Sequence, residues 1–216
     1  MKHKLTIALP KGKLFRPAVE MLAQCGLNTA HISDEERALV FEDEENGVRF
    51  IICRPTDIPV YVEHGASDLG IVGKDSIIEA GKNLYEILDL QFGFCRFVLA
   101  FPRKDLPSGG LDYPWKQGMR VATKFPAMAG EFLKKKGLQA EIIKLHGNVE
   151  LAPRVGLAEA IIDLVSTGKT LEQNDLVAVE EIARATARLI VNRASYRLKA
   201  AAINELVSRI KKNLTP

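Results

Sequence analysis

Residues 160–171 read AIIDLVSTGKTL. The first six are apolar except for Asp163, the pattern of a buried strand. The next five, Ser166, Thr167, Gly168, Lys169 and Thr170, gather hydroxyls, a glycine and a cation into one turn. Glycine lets a backbone approach a ligand closely, and consecutive N–H groups with hydroxyls can ring a phosphate. Asp163 stands three residues before the hydroxyl run, in reach of ribose hydroxyls or a Mg²⁺. The alternative is a plain strand-to-turn connection whose Ser and Thr cap the turn. The GxxxxGK[ST] spacing of a Walker A loop is absent.

Outward from this stretch, short apolar runs alternate with helical patterns. LTIAL (5–9), LVFE (39–42), VRFIICR (48–54), DLGIVG (68–73), YEILDLQ and FCRFVLAF read as strands. Residues 13–25 and the segments TDIPVYVEHG and KDSIIEAG read as helices between them. PRKDLPSGGLDYPW (102–115) breaks the pattern as a Pro- and Gly-rich loop. It then restarts: MRVAT (119–123), a helix over 126–136 ended by Gly137, AEIIKL (140–145), a short helix in GNVELAPRVG, AIIDLV, DLVAVEEI (175–182) and TARLIVN. A closing amphipathic helix is expected over 194–212, with Leu198, Ala202, Ile203, Leu206 and Ile210 on its apolar face. Alternation of this kind predicts an α/β fold with mixed, largely parallel sheets. The restart predicts two lobes, 1–95 plus 183–216 and 96–182. Ligands in such folds sit beyond the carboxyl ends of strands.

The totals fit an ordinary globular chain: 216 residues, 47% hydrophobic, 26% charged, net charge +3. That charge is too mild to indicate nucleic acid and suits a small anionic ligand. Cys25, Cys53 and Cys95 are odd in number and form no CxxC, as expected of core thiols in a reducing cytoplasm. The four histidines lack zinc spacing, so no structural metal site is predicted. The N-terminus MKHKLTIALPKGKLF does not read as a secretory signal.

Two further strand ends carry candidate ligands. Lys11, Gly12 and Lys13 lie between the first strand and first helix. Lysines at a helix start oppose its dipole unless an anion neutralises them; a solvated charged turn is the alternative. GIVGKD (70–75) repeats the strand–glycine–helix arrangement and ends on Asp75, although close strand–helix packing also accounts for its glycines. Arg37 and Arg54 flank the second and third strands, and Arg96 lies where the second lobe begins.

Taken together, LPKGKL, VRFIICRPTDIPVYVEHGASDLGIVGKD and LHGNVELAPRVGLAEAIIDLVSTGKTLEQNDL resemble the ATP phosphoribosyltransferase family through nearly the whole chain. The resemblance implies a periplasmic-binding-protein-like (type II) arrangement with the active site in the interlobe cleft. It implies transfer of 5-phosphoribosyl from phosphoribosyl pyrophosphate to N1 of ATP with Mg²⁺, the first step of histidine biosynthesis. It assigns Ser166, Thr167, Gly168, Lys169 and Thr170 to the 5-phosphate. Asp163 and Glu150 fall to the ribosyl centre or Mg²⁺, though Glu150 also reads as a solvated helix glutamate. Lys11, Gly12, Lys13, Arg37 and Arg54 fall to the pyrophosphate and ATP phosphates, and Asp75 and Arg96 to the neighbourhood of the cleft. The family's long form carries a histidine-binding regulatory domain after the helix at 194–212. The chain's length resembles instead the short form, a homodimer-forming catalytic chain. Such chains work in a hetero-oligomer with a regulatory subunit resembling histidyl-tRNA synthetase. Two departures stand out: Lys13 where the family commonly has Arg, and Ala38 where it often has Lys. Lysine keeps the charge but lacks the planar fork that grips phosphate twice.

Two other functions share some of these features. A solute-binding or sensing module of the same fold would also clamp anions. The basic run from Arg188 to Lys212 could face nucleic acid, a partner or solvent.

Overall fold

Alternating apolar residues make the strands, and pairing sorts them into two sheets. The computed structural model describes residues 4–35, 37–107 and 115–214. It forms two units, Met1–Gly93 with Thr186–Pro216, and Phe94–Ala185.

The first unit holds β1 (Leu5–Pro10), β2 (Val40–Asp43), β3 (Val48–Cys53), β4 (Leu69–Gly73), β5 (Tyr85–Asp89) and a late strand, Ala187–Val191. The late strand is β11, counting β6 to β10 in the second unit, and the sheet order is β2-β3-β1-β4-β11-β5. β3, β1 and β4 run parallel. β2 and β11 run antiparallel to their neighbours, so a parallel centre is flanked by antiparallel edges. β4 is buried at every position, as a central strand covered on both faces must be. On one face Leu22 of α1 (Phe15–Gln24) packs with Ile7, Phe50, Ile203 and Ile210. On the other, Ile58 and Val62 of α2 (Ile58–Glu63) meet Ala8, Val72 and Ile190. Gly70 permits that contact, since a Cβ there would lie 2.6 Å from Ile58. The helix α3 (Lys74–Ala80) follows β4 directly.

The second unit holds β6 (Cys95–Pro102), β7 (Met119–Thr123), β8 (Ala140–Lys144), β9 (Ala160–Val165) and β10 (Leu176–Ala185), in the order β10-β6-β9-β7-β8. β9, β7 and β8 are parallel; β6 and β10 are antiparallel. One face is covered by α4 (Pro126–Lys136) through Ala129, Phe132 and Leu133. The other is covered by α5 (Leu151–Arg154) and α6 (Lys169–Gln173) through Ala152 and Leu171. The loop expected over 102–115 falls partly on residues 108–114, outside the described residues; Arg103–Asp105 within it makes one 3-10 turn.

The closing helix differs from expectation. It divides into α7 (Arg193–Leu198) and α8 (Ala200–Leu214) at Lys199, which leaves helical geometry with φ −121 and ψ 26. Leu198, expected on the apolar face, is 84% exposed. The reason is Asp68, buried at the start of β4. It accepts from Thr6 N at 2.8 Å, Ser195 Oγ at 2.6 Å and Lys199 Nζ at 2.7 Å. These contacts fix which side of α7 faces the sheet, and Leu198 is left outward. α8 then buries Ile203, Leu206 and Ile210 as the periodicity requires. Among the described residues no helix is long and apolar enough to cross a membrane.

Candidate active site

In the second unit the candidate residues gather at one end of the sheet. β9 and β7 are parallel, with Thr123 opposite Ile162, so their carboxyl ends lie side by side. Leu145 N donates to Thr123 O at 2.9 Å, bringing the end of β8 to the same edge. From there Asn148, at φ +49, turns the chain into Glu150 at the head of α5. Asp163 therefore sits between Lys124 and Glu150. Burial pushes its carboxyl above the ordinary aspartate value; the Leu164 N–H at 2.8 Å and the Lys124 cation pull it down, and the Glu150 charge pushes it up again. Two carboxylates and one lysine thus share a partly desolvated site.

The loop 166–170 begins where β9 ends. Gly168 has φ +82, a left-handed conformation that costs a side-chain-bearing residue about 1–2 kcal/mol. A Cβ there would meet nothing within 4 Å, so the glycine serves the turn and leaves open space above it. Among the described residues, the backbone N–H groups of Ser166, Thr167, Gly168, Lys169 and Thr170 find no acceptor. Buried or not, five successive unsatisfied donors in one turn suit an anion. The far side of the turn is braced: Asn174 Nδ2 donates to Thr170 O at 2.9 Å, and Arg154 donates to Asn174 Oδ1 at 3.2 Å. Arg96, the second residue of β6, lies at this same end, opposite Val165. Its guanidinium pairs with Glu181 at 3.6 Å, so any anion must compete for it.

In the first unit the cations also meet at one sheet end. Lys11 N donates to Cys53 O at 2.9 Å, joining the ends of β1 and β3; Arg54 follows β3 and is exposed. Val40 pairs with Ile51, so the exposed Arg37, just before β2, lies at this end as well. Lys13 is exposed, and Gly12 N donates to Asp34 Oδ2 at 3.0 Å. Asp75 stands in the first turn of α3, at the end of β4. Its Oδ1 folds back over Gly73, where a Cβ would lie 2.0 Å away, so a side chain there would displace the carboxylate. Beside this end, the Cys53 thiol is pushed up to about 11 by burial and by Asp57, which leaves it protonated and unreactive. Among the described residues no cysteine forms a disulfide.

Lys124, Asn174, Arg154 and Asp34 are the residues that motif reading missed. Only Lys124 had a signal, its place just past MRVAT at a strand's carboxyl end. The other three act through contacts between separate segments. Among the described residues no group of three or more His, Cys, Asp or Glu could hold a metal ion. The basic C-terminal run is largely taken up internally: Arg188 pairs with Glu86 at 3.3 Å and Asp89 at 3.0 Å, Arg193 lies 4.9 Å over the Tyr85 ring, and Arg209 pairs with Glu205.

The ATP phosphoribosyltransferase (HisG) family model matches residues 54–212. An ATP phosphoribosyltransferase of Desulfitobacterium hafniense (strain Y51) is 52% identical over 217 residues, 99% of this chain and 97% of that protein. One from Geobacter metallireducens (strain ATCC 53774 / DSM 7210 / GS-15) is 48% identical over 99% of this chain and 100% of its own length. The solved ATP phosphoribosyl transferase (HisG:HisZ) complex from Thermotoga maritima contains a chain 31% identical, with TM-score 0.80 over 97% of this chain and 98% of that one. The alkanesulfonate-binding protein SsuA from Xanthomonas axonopodis pv. citri shares the fold alone, at 15% identity and TM-score 0.55 over 96% of this chain and 72% of its own. With most of its length matched by the family model and relatives at half identity, the chain belongs to the ATP phosphoribosyltransferase family.

Proposed function

We propose a division of labour for the reaction of this family, transfer of 5-phosphoribosyl from phosphoribosyl pyrophosphate to N1 of ATP with release of pyrophosphate, the first step of histidine biosynthesis. The observation that carries it is the loop 166–170, whose five unsatisfied N–H groups lie beside the carboxylate pair Asp163 and Glu150. The loop holds the 5-phosphate. Asp163 accepts from the ribose hydroxyls and faces the positive charge that develops at the anomeric carbon, and Glu150 backs it. Adenine N1 attacks with a lone pair that needs no deprotonation, so no general base is required. The rate enhancement then comes from alignment and from stabilising the departing pyrophosphate. Lys11, Gly12, Lys13, Arg37 and Arg54 neutralise the ATP and pyrophosphate phosphates. Asp75 orients this end of the first unit, and Arg96 contributes once freed from Glu181.

Mg²⁺ enters as the ion carried by the pyrophosphate. Asp163 and Glu150 suit it: the Glu150 charge raises the cost of charging Asp163, and a dication relieves that cost. A regulatory subunit resembling histidyl-tRNA synthetase, bound to a short-form catalytic homodimer, is the proposed assembly. Its support is the Thermotoga maritima HisG:HisZ complex and the near-full-length span of the curated relatives. The cytoplasm, where ATP and phosphoribosyl pyrophosphate are made, is the proposed compartment.

The test is ultraviolet absorbance of the purified chain with ATP, phosphoribosyl pyrophosphate, Mg²⁺ and pyrophosphatase. A rise from N1-substituted adenine that requires both substrates and the ion is expected. Silence alone and again with the synthetase-like partner would sink the assignment.

A further inference from the structure

The loop 166–170 is held from behind by one side chain. Asn174 ends α6 and is half-buried. Its backbone N–H donates to Leu171 O at 3.0 Å, one residue short of the helical partner Thr170. The side chain takes up that carbonyl instead, with Nδ2 donating to Thr170 O at 2.9 Å. α6 has five residues, too few to keep its shape by its own hydrogen bonds. What fixes Asn174 is tertiary. Leu171 and Leu176, on either side of it in the chain, are buried in one core cluster, and Arg103 N donates to Asp175 O at 2.8 Å. Asn174 also reaches sideways, where its Oδ1 accepts from Arg154 Nη1 at 3.2 Å. Arg154 ends α5, one helical turn after Glu150 at the head of that helix. One amide therefore joins the loop to the helix that carries Glu150. An amide suits the place, since it offers a donor toward a carbonyl and an acceptor toward a guanidinium. A carboxylate would serve only the second contact.

We infer that Asn174 is a positioning residue for phosphoribosyl transfer, and that Arg154 acts through it. Asn174 sets the conformation of the loop by way of Thr170 O. Through Arg154 it sets the spacing between the loop and Glu150. In a helical turn the carbonyls point one way and the N–H groups the other. A bond that holds Thr170 O from behind therefore keeps the N–H groups of the first turn aimed back over the loop. The consequence is alignment. A 5-phosphate held in a shifted loop carries the anomeric carbon away from Asp163 and Glu150, and a misplacement of about 1 Å can cost on the order of 10² in rate. The inference rests on the role proposed above for the loop.

The test is steady-state kinetics of the full chain, with its synthetase-like partner where activity requires it, beside calorimetry of phosphoribosyl pyrophosphate binding and thermal melts. Asn174→Asp keeps the shape and the Arg154 contact and removes only the donor to Thr170 O. It is expected to raise the phosphoribosyl pyrophosphate KM and Kd about tenfold, a loss of about 1.4 kcal/mol, while the ATP KM stays within about twofold. The melting temperature should not move. An unchanged phosphoribosyl pyrophosphate KM overturns the inference. So does a rise in both KM values with a lower melting temperature, the mark of general loosening. Arg154 is exposed, so Arg154→Ala leaves the fold intact. It should raise the phosphoribosyl pyrophosphate KM about threefold, the scale of one exposed hydrogen bond. In an Asn174→Ala background the same change should add nothing, because its effect passes through the amide. An equal effect in both backgrounds overturns the part assigned to Arg154. Phosphoribosyl pyrophosphate that binds Gly168→Val as it binds the unaltered chain sinks the loop assignment itself. Binding lost in Gly168→Val but unchanged in Asn174→Asp and Asn174→Ala sinks only the positioning role.

Discussion

In the role proposed for it, Asp163 sets stability against function. Its folded pKa lies above the ordinary aspartate value because burial disfavours the charge. The stability it contributes is therefore greatest when it is protonated, below the unfolded pKa, and is lost as pH rises through the raised folded value. Asp163→Asn should raise the melting temperature at neutral pH, with the advantage fading below the ordinary aspartate range. The same change should lower kcat/KM by on the order of 10²–10³, the scale of a lost transition-state contact. A variant that is both less stable at neutral pH and fully active would contradict the reading. Lys124 acts on the same group. Its cation lowers the Asp163 pKa, so Lys124→Ala should move the acid limb of the kcat/KM profile to higher pH. Gly168→Val forces a β-branched residue into φ +82 above open space. It should abolish phosphoribosyl pyrophosphate binding in a calorimetric titration while circular dichroism stays unchanged.

At the scale of elements, the junction of α7 and α8 shows a polar contact overriding periodicity. Residues 194–212 have one helical pattern, and the chain still breaks at Lys199. Asp68 is only 5% exposed, so its charge must find donors, and Thr6, Ser195 and Lys199 supply them. Lys199→Ala removes the one cation and leaves the carboxylate buried with two neutral donors. The Lys199 side chain is itself 33% exposed, so the cost should be about 2 kcal/mol, below that of a fully buried pair, read as a lowered urea midpoint. Leu198→Ala, by contrast, should leave the midpoint within about 0.5 kcal/mol, as expected of an exposed position. The strand–turn pieces were easier to read. A run such as AIIDLV announces a buried strand, and a glycine after it announces a turn, because both follow from local geometry.

At the scale of the whole molecule, the sequence of the second unit is inserted between two segments of the first. β11 lies between β4 and β5, so the first sheet closes only after residues 94–185 have been made. Among the described residues the second sheet contains no strand from outside Phe94–Ala185 and is covered on both faces from within. Residues 94–185 expressed alone should therefore melt cooperatively by circular dichroism. Residues 1–93 alone should not, since β4 lacks its antiparallel neighbour and β5 has nothing to pair with. A cooperative transition in 1–93 would contradict this account.

The sequence by itself determined the alternation of strands and helices, the presence of two units, and the glycine turns with their cations at 11–13 and 166–170. These depend on period, glycine placement and local charge, which a linear reading contains. Tertiary structure alone decided the rest. It set Lys124 and Glu150 around Asp163, paired Arg96 with Glu181, tied Asn174 to Thr170 and Arg154, and broke the last helix at Asp68. Each of those contacts joins side chains from separate segments, and which segments meet is a property of the sheet order, which no local pattern encodes.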